Sequence, residues 1–406
     1  METESLPDHE LLAVLLWLDA RAHEAAERVC RRWRRLALCP AACRALRPRA
    51  RVWAALGDRE AVVAERVAGR SWLAGRFGAN GHVDSDGECE TCALDGPRLV
   101  LCNDSRVDVF DARSVDVLWR HDFSGTGRIV DAVVDGPRVA AFLHVDTLGN
   151  RHVCLHVATA GGEVRATEAR SAFGPDFVMW RGDRVAYGTC RDKVHALEHL
   201  DVASGRVARS LQLGAAEVED LADAFGLADG IGVGVATRAG ILLDDGRSAR
   251  AARFAMQHDP CCHRQRPYVS FRWRVYAHPD GHTLLTVPYY DSPYGASWGE
   301  APVVAELWDA RALATARCTI ALPDDDAEFL SFGRDAVRTV SGVRVSHFDL
   351  HGGAPVGEPW SLGEEGEWVA CANEAFAVVV RYNEQNSSRF RFTVYASDDA
   401  TRAGTG

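Results

Sequence analysis

Runs of apolar, strand-like residues in this chain end repeatedly on an acidic residue followed by a turn. The run ends read VFDARS, LDVASG, LLDDGR, LWDARA and HFDLHG, and their aspartates are Asp111, Asp201, Asp244, Asp309 and Asp349. The step from Asp201 to Asp244 is 43 residues and from Asp309 to Asp349 is 40. Asp111 and Asp201 stand two such units apart, with Ala158 of LHVATAGG as the middle member, and Ala396 of TVYASD follows one unit after Asp349. Each aspartate closes an apolar run and opens a turn, as an Asx-type turn does.

A second marker keeps the same phase. Asp95-Gly96, Asp135-Gly136, Gly182-Asp183, Asp229-Gly230 and Asp280-Gly281 sit between apolar runs, the strongest short signal for a hairpin. A unit of about 40–50 residues holding about four short strands is a β-propeller blade. Seven members predict seven blades, in a layout resembling the WD-repeat type, although Trp308-Asp309 is its one Trp-Asp dipeptide. A pair of β-sandwiches, the rival fold, does not explain so even a period.

The first fifty residues follow other rules. Pro7, with Asp8 and Glu10 behind it, marks a helix start. Leu11, Leu12, Leu15, Leu16 and Leu18 then cover nearly the whole helix circumference, so the helix must be buried on more than one side. A second helix carries one stripe of Ala22, Ala26, Val29, Trp33 and Leu36, with Arg31, Arg32, Arg34 and Arg35 turned away, and is expected to end at Pro40. A third short helix follows. Three such helices cannot enclose all this apolar surface, so the excess is expected to be an interface.

In the order of its residues this stretch resembles an F-box. Leu6-Pro7, the run Leu11, Leu12, Leu15 and Leu18, Asp19, then Val29-Cys30-Arg31-Arg32-Trp33 and Leu36-Ala37 carry the likeness, while His23 stands where the family usually has leucine and Cys43 where it commonly has tryptophan. The resemblance implies docking on the Skp-type adaptor of SCF (cullin-RING) ubiquitin ligases. The adaptor-binding residues it implies are Leu6, Pro7, Leu11, Leu12, Leu15, Leu18, Val29, Cys30, Trp33 and Leu36. The expected layout is therefore an F-box over 1–50, a helical and Gly-rich linker over 51–88, a propeller over 89–400 and a tail over 401–406. The implied function is a non-catalytic substrate receptor, with the propeller holding a target protein. Two alternatives remain at this point: an F-box scaffold or competitor, as a parasite or virus encodes, and a propeller enzyme with a helical cap.

The interval from Asp244 to Asp309 is about 20 residues too long, and its surplus, QHDPCCHRQRP and PYYDSPYGASWGEAP, is rich in Tyr, Trp and Arg. Arg264, Arg266, Tyr289, Tyr290, Tyr294 and Trp298 are the candidate substrate contacts, because such residues dominate binding hot spots. Neither a cofactor nor a metal is expected. The group His258, Cys261, Cys262 and His263 has adjacent cysteines that poorly suit one ion, and Cys89-x-x-Cys92 is a lone pair. The glycines of DGIGVGVAT read as a strand rather than a nucleotide loop. His195 and His347 read as structural.

A formal net charge of −11 argues against a nucleic-acid partner, and no apolar run reaches membrane-spanning length. The expected location is the cytoplasm or nucleus, with the 12 cysteines reduced. Of the 46 basic residues only Lys193 is lysine, which GC-rich coding explains and which also suits a receptor that escapes its own ligase.

Overall fold

A computed structural model describes residues 7–17, 20–45, 56–85, 89, 91–135, 137–147, 150–159, 164–171, 178–181, 184–191, 194–213, 221–226, 233–237, 240–244, 252–254, 270–278, 280, 282–291, 304–310, 315–323, 327–382 and 390–397. The N-terminal part is helical: α1 (Asp8–Trp17), α2 (Ala20–Val29), α3 (Arg31–Ala37) and α4 (Pro40–Ala45), followed by α5 (Asp58–Leu73). The first 45 residues thus hold four short helices where three were expected. Cys30 is extended (φ −161°, ψ 171°) and splits the expected second helix, so Val29 falls off the buried stripe. Pro40 opens α4 instead of closing its predecessor, since a first-turn residue needs no backbone N–H. Leu11, Leu15, Ala26, Leu36 and Ala37 form the small core of this region, with Trp33 against it.

All remaining described elements are strands. The first, β1 (Phe77–Asp84), leads into six consecutive four-strand units. These are β2 (Thr91–Asp95), β3 (Arg98–Cys102), β4 (Arg106–Asp111) and β5 (Val117–Asp122); then β6 (Arg128–Asp135), β7 (Arg138–Thr147), β8 (Asn150–Thr159) and β9 (Val164–Ser171). Next come β10 (Val178–Arg181), β11 (Arg184–Arg191), β12 (Val194–Asp201) and β13 (Arg206–Leu213), and β14 (Leu221–Gly226), β15 (Val233–Thr237), β16 (Gly240–Asp244) and β17 (Ala252–Phe254). The last two full units are β18 (Ser270–Ala277), β19 (Thr283–Asp291), β20 (Val304–Asp309) and β21 (Cys318–Ala321), and β22 (Glu328–Phe332), β23 (Ala336–Ser341), β24 (Arg344–Asp349) and β25 (Trp360–Ser361). The chain ends on β26 (Trp368–Ala372), β27 (Phe376–Tyr382) and β28 (Phe390–Ser397).

The strands pair into seven four-stranded antiparallel sheets, and one of them joins both ends of the domain: β1 pairs with β28, beside β27 and β26. First strands of neighbouring sheets touch in succession, β2 on β6, β6 on β10, β10 on β14, β14 on β18, and β22 on β26, which returns to β2. Between β18 and β22 the ring is continued by Tyr276 stacked on Phe329 at 4.0 Å. This closed circuit of sheets is a β-propeller.

Residues 77–84 correct the expected linker, which was to last until residue 88. They form β1, the outermost strand of the closing sheet, and not a connection. Gly81 serves close approach: at the bulge beside it a Cβ would come within 2.7 Å of Val115 Cγ2.

Asp111, Asp201, Asp244, Asp309 and Asp349 each end the third strand of a sheet, and Ala158 and Ala396 stand one residue before that end. The carboxylates of Asp111, Asp201 and Asp349 accept backbone N–H groups from Arg113 (2.8 Å), Ser204 (2.7 Å) and Gly352 (2.7 Å), which are Asx turns. Trp308 is wholly buried and donates its Nε1–H to Thr286 Oγ1 at 3.2 Å. Strand direction alternates within each sheet, so turns after first and third strands open on one face of the propeller. Connections after second and fourth strands open on the other.

Candidate docking surface and the joint beneath it

Helix α1 starts after Pro7, and Leu11 N–H donates to Pro7 O at 3.0 Å. Asp8 in its first turn takes hydrogen bonds from Arg32 Nε (2.8 Å) and Arg35 Nη2 (2.7 Å), clamping α1 to α3. The Arg32 hydrogen bond holds its carboxyl below the usual carboxylate range. The residues assigned to adaptor docking divide here. Leu11, Leu15 and Leu36 point into the small core, where they hold the helices together and offer little surface. Pro7, Val29 and Cys30 are exposed, and Leu12 and Trp33 are half-buried. Leu6 and Leu18 lie outside the described residues. Val14, 48% exposed, joins Val29, 62% exposed, as apolar surface without cover among the described residues. Val14 belongs to the apolar circumference of the first helix but was not assigned to docking, because the leucines around it are equally apolar.

Helix α5 ties this region to the propeller. Its Arg66 forms an ion pair with Glu27 of α2, and Gly57 N–H donates to Glu60 Oε2 at 3.2 Å to cap its start. Ala61 and Ala68 belong to the cluster of Leu99, Phe110 and Phe376, while Trp72 is wholly buried among Leu330, Val345, Leu362 and Val379. Trp72 Nε1 donates to Glu374 O at 3.0 Å, and the Arg338 guanidinium lies 4.4 Å from its ring centre. Arg334 Nη1 donates to Glu65 Oε2 at 3.1 Å. Residues 333–335 and 373–375 are the turns after β22 and β26, so α5 lies on the face of the first-strand turns.

A cavity of ≈ 190 Å³ remains between α5 and these turns, lined by ionisable groups. Burial pushes the Glu65 carboxyl up to about 7, against the pull of Arg334. Burial lowers Arg338 to about 10, still charged at neutral pH, and burial together with Arg338 lowers His347 to about 3, so that its ring is neutral. Burial raises Glu374 as well. Sequence reading missed this group and took His347 as structural. The signal was there in AVRTVS, where Arg338 interrupts an apolar strand.

The opposite face carries an aromatic group: Tyr382 lies 4.9 Å from Trp368 and 4.8 Å from Phe390 between ring centres, and is 54% exposed. Of the candidate substrate contacts, Tyr289 and Tyr290 belong to β19, paired with Arg272 and Phe271 of β18, so they extend a strand instead of starting a loop. Arg264, Arg266, Tyr294 and Trp298 lie outside the described residues, as do His258, Cys261, Cys262 and His263. Val233–Thr237 of the glycine-rich stretch is strand β15. Cys92 Sγ sits 3.5 Å from Cys371 Sγ across neighbouring sheets, and this contact with burial raises the Cys92 thiol. Among the described residues no cluster of three His, Cys, Asp or Glu could hold a metal ion, and no helix is long and apolar enough to cross a membrane.

The class these features define is a β-propeller carrying a helical N-terminal module fixed to it by one helix. Residues 3–46 match the F-box-like family, so the module is F-box-like. A chain in a crystal structure of the mitotic checkpoint complex is similar in fold, with a TM-score of 0.54 and 12% identity over 78% of this chain and 92% of that one. At that identity the likeness bears on the fold alone. A search of curated proteins returned no match.

Proposed function

We propose that this protein is the substrate-recognition subunit of an SCF-type ubiquitin ligase. The F-box-like helices dock on a Skp-type adaptor, and through it on a cullin, while the propeller holds a target protein. The observation that carries this reading is α5. It packs against the F-box-like helices at one end and inserts Trp72 into the propeller at the other, so a target on the far face is held at a set distance from the docking helices. The protein performs no bond chemistry in this role. It raises the local concentration of a bound target near the ubiquitin-charged enzyme, the effect that tethering produces.

The exposed Val14 and Val29 make the test clean, because Leu11→Asp would unfold the module and prove nothing about docking. The full chain and a Val14→Asp/Val29→Asp variant are each mixed with Skp-type adaptor and cullin. Co-purification of both partners with the full chain, at least tenfold weaker for the variant at an unchanged melting temperature, supports the reading. Adaptor without cullin would place the chain among F-box proteins that occupy the adaptor without promoting ubiquitin transfer. Binding of neither would refute the docking role.

A further inference from the structure

Two thiols meet at the seam where the propeller closes. Cys92 of β2 and Cys371 of β26 have their Sγ atoms 3.5 Å apart, although 279 positions separate them in the chain. Strands β2 and β26 are the first strands of neighbouring sheets, the pair through which the circuit of sheets returns to its start. Both residues are half-buried, packed against the cluster of Leu99, Phe110 and Phe376. The nearby thiol of Cys89 is turned to its own segment, where it donates to Thr91 O at 3.2 Å. A disulfide holds its sulfurs about 2.05 Å apart. The observed contact exceeds that by about 1.5 Å, a distance within reach of rotation about the two Cα–Cβ bonds.

We propose that Cys92 and Cys371 are a site of oxidative modification, at which a hydroperoxide forms a disulfide that staples the closing sheet to the sheet of β2–β5. The Cys371 thiolate attacks a peroxide oxygen, the O–O bond breaks, and a sulfenic acid and water result. The Cys92 sulfur then displaces the hydroxyl from the sulfenic sulfur, which forms the S–S bond and releases a second water. Two thiols and one hydrogen peroxide thus become one disulfide and two waters, with two electrons passing from sulfur to oxygen. The contact with Cys371 and burial raise the Cys92 thiol, which suits it to the second step and not the first. In the reduced chain, closure rests on the β1–β28 ladder and on packing. The disulfide adds a covalent link across most of the propeller sequence, and a loop of that length restricts the unfolded chain strongly. This inference is independent of the docking role.

The test treats the folded full chain with hydrogen peroxide, caps the remaining thiols with N-ethylmaleimide and maps linked peptides by mass spectrometry. Oxidation of the exposed Cys30 is the control that peroxide acted. The expected product is a Cys92–Cys371 linked pair, two hydrogens lighter than the two thiols. It should run as a faster band in a non-reducing denaturing gel and melt about 5 °C higher, and dithiothreitol should reverse both changes. Cys92→Ala and Cys371→Ala should each abolish the linked pair, the fast band and the rise in melting temperature, while their reduced forms still melt cooperatively. Oxidised Cys30 with no linkage between Cys92 and Cys371 overturns the proposal, as does a bond from Cys92 to Cys89 in its place. A fast band that survives in both variants, or a linkage that leaves the melting temperature unchanged, overturns the staple.

Discussion

Trp72 carries two kinds of work in one side chain. Its ring fills the space between the sheets of β22–β25 and β26–β28, and its Nε1–H satisfies the carbonyl of Glu374. Trp72→Ala should therefore cost about 3–5 kcal/mol, read as a lower urea midpoint at constant m-value. Glu65 makes the pH dependence of folding specific. Its folded value, about 7, lies above the 4.5 of the free group, so the folded state holds the extra proton between those values. Stability from this group is full below pH 4.5 and is lost as pH rises to 7, by an amount on the order of 3 kcal/mol. Glu65→Gln should flatten that slope in denaturant midpoints measured from pH 5 to 8; an unchanged slope would show that Glu65 ionises as a free group. At this scale the sequence was legible where chemistry is local. Asp111, Asp201 and Asp349 fold back on N–H groups two or three residues away, so their motif contains its own partner. Glu65 and Arg334 are 269 positions apart, and no local pattern announces such a pair.

Strand β1 is the element on which closure depends. It reads as FGANGHVD, in which Phe77 and Val83 are the large apolar residues and no apolar alternation runs between them, because it is the outermost strand and its burial is slight. Outer strands need backbone pairing more than side-chain burial, which is why composition suggested a linker there. Gly81→Val should force β1 from its register against β28, since Val115 leaves no room for a Cβ. The expected result is a melting temperature lower by several degrees and an open edge on β28 that promotes association, visible in size-exclusion chromatography. The break at Cys30 is of the same kind. The 3.6-residue stripe continues through it in the sequence, and only the docking of α3 on α1, clamped by Asp8 with Arg32 and Arg35, turns the chain there.

Across the whole molecule helix α5 and the C-terminal end of β19 lie on opposite sides. Helix α5 occupies the face of the first-strand turns, and the connection from β19 to β20 leaves from the other face, where Trp368, Tyr382 and Phe390 also gather. Scarcity of lysine has a consequence at this scale. Installing Arg206→Lys and Arg344→Lys at exposed strand positions should speed turnover of the chain in cells with an active cullin ligase, and unchanged turnover would leave coding bias as the whole explanation. The sequence by itself determined the repeat, the turn chemistry at each third-strand end and the F-box-like order of the first helices, because all three rest on contacts a few residues long. Tertiary structure alone decided which leucines of that motif face inward and that α5 is a strut instead of a linker. It also decided that Arg338 and His347 meet Glu65 across a cavity, since those contacts exist only once chain ends more than 300 residues apart are brought into one sheet.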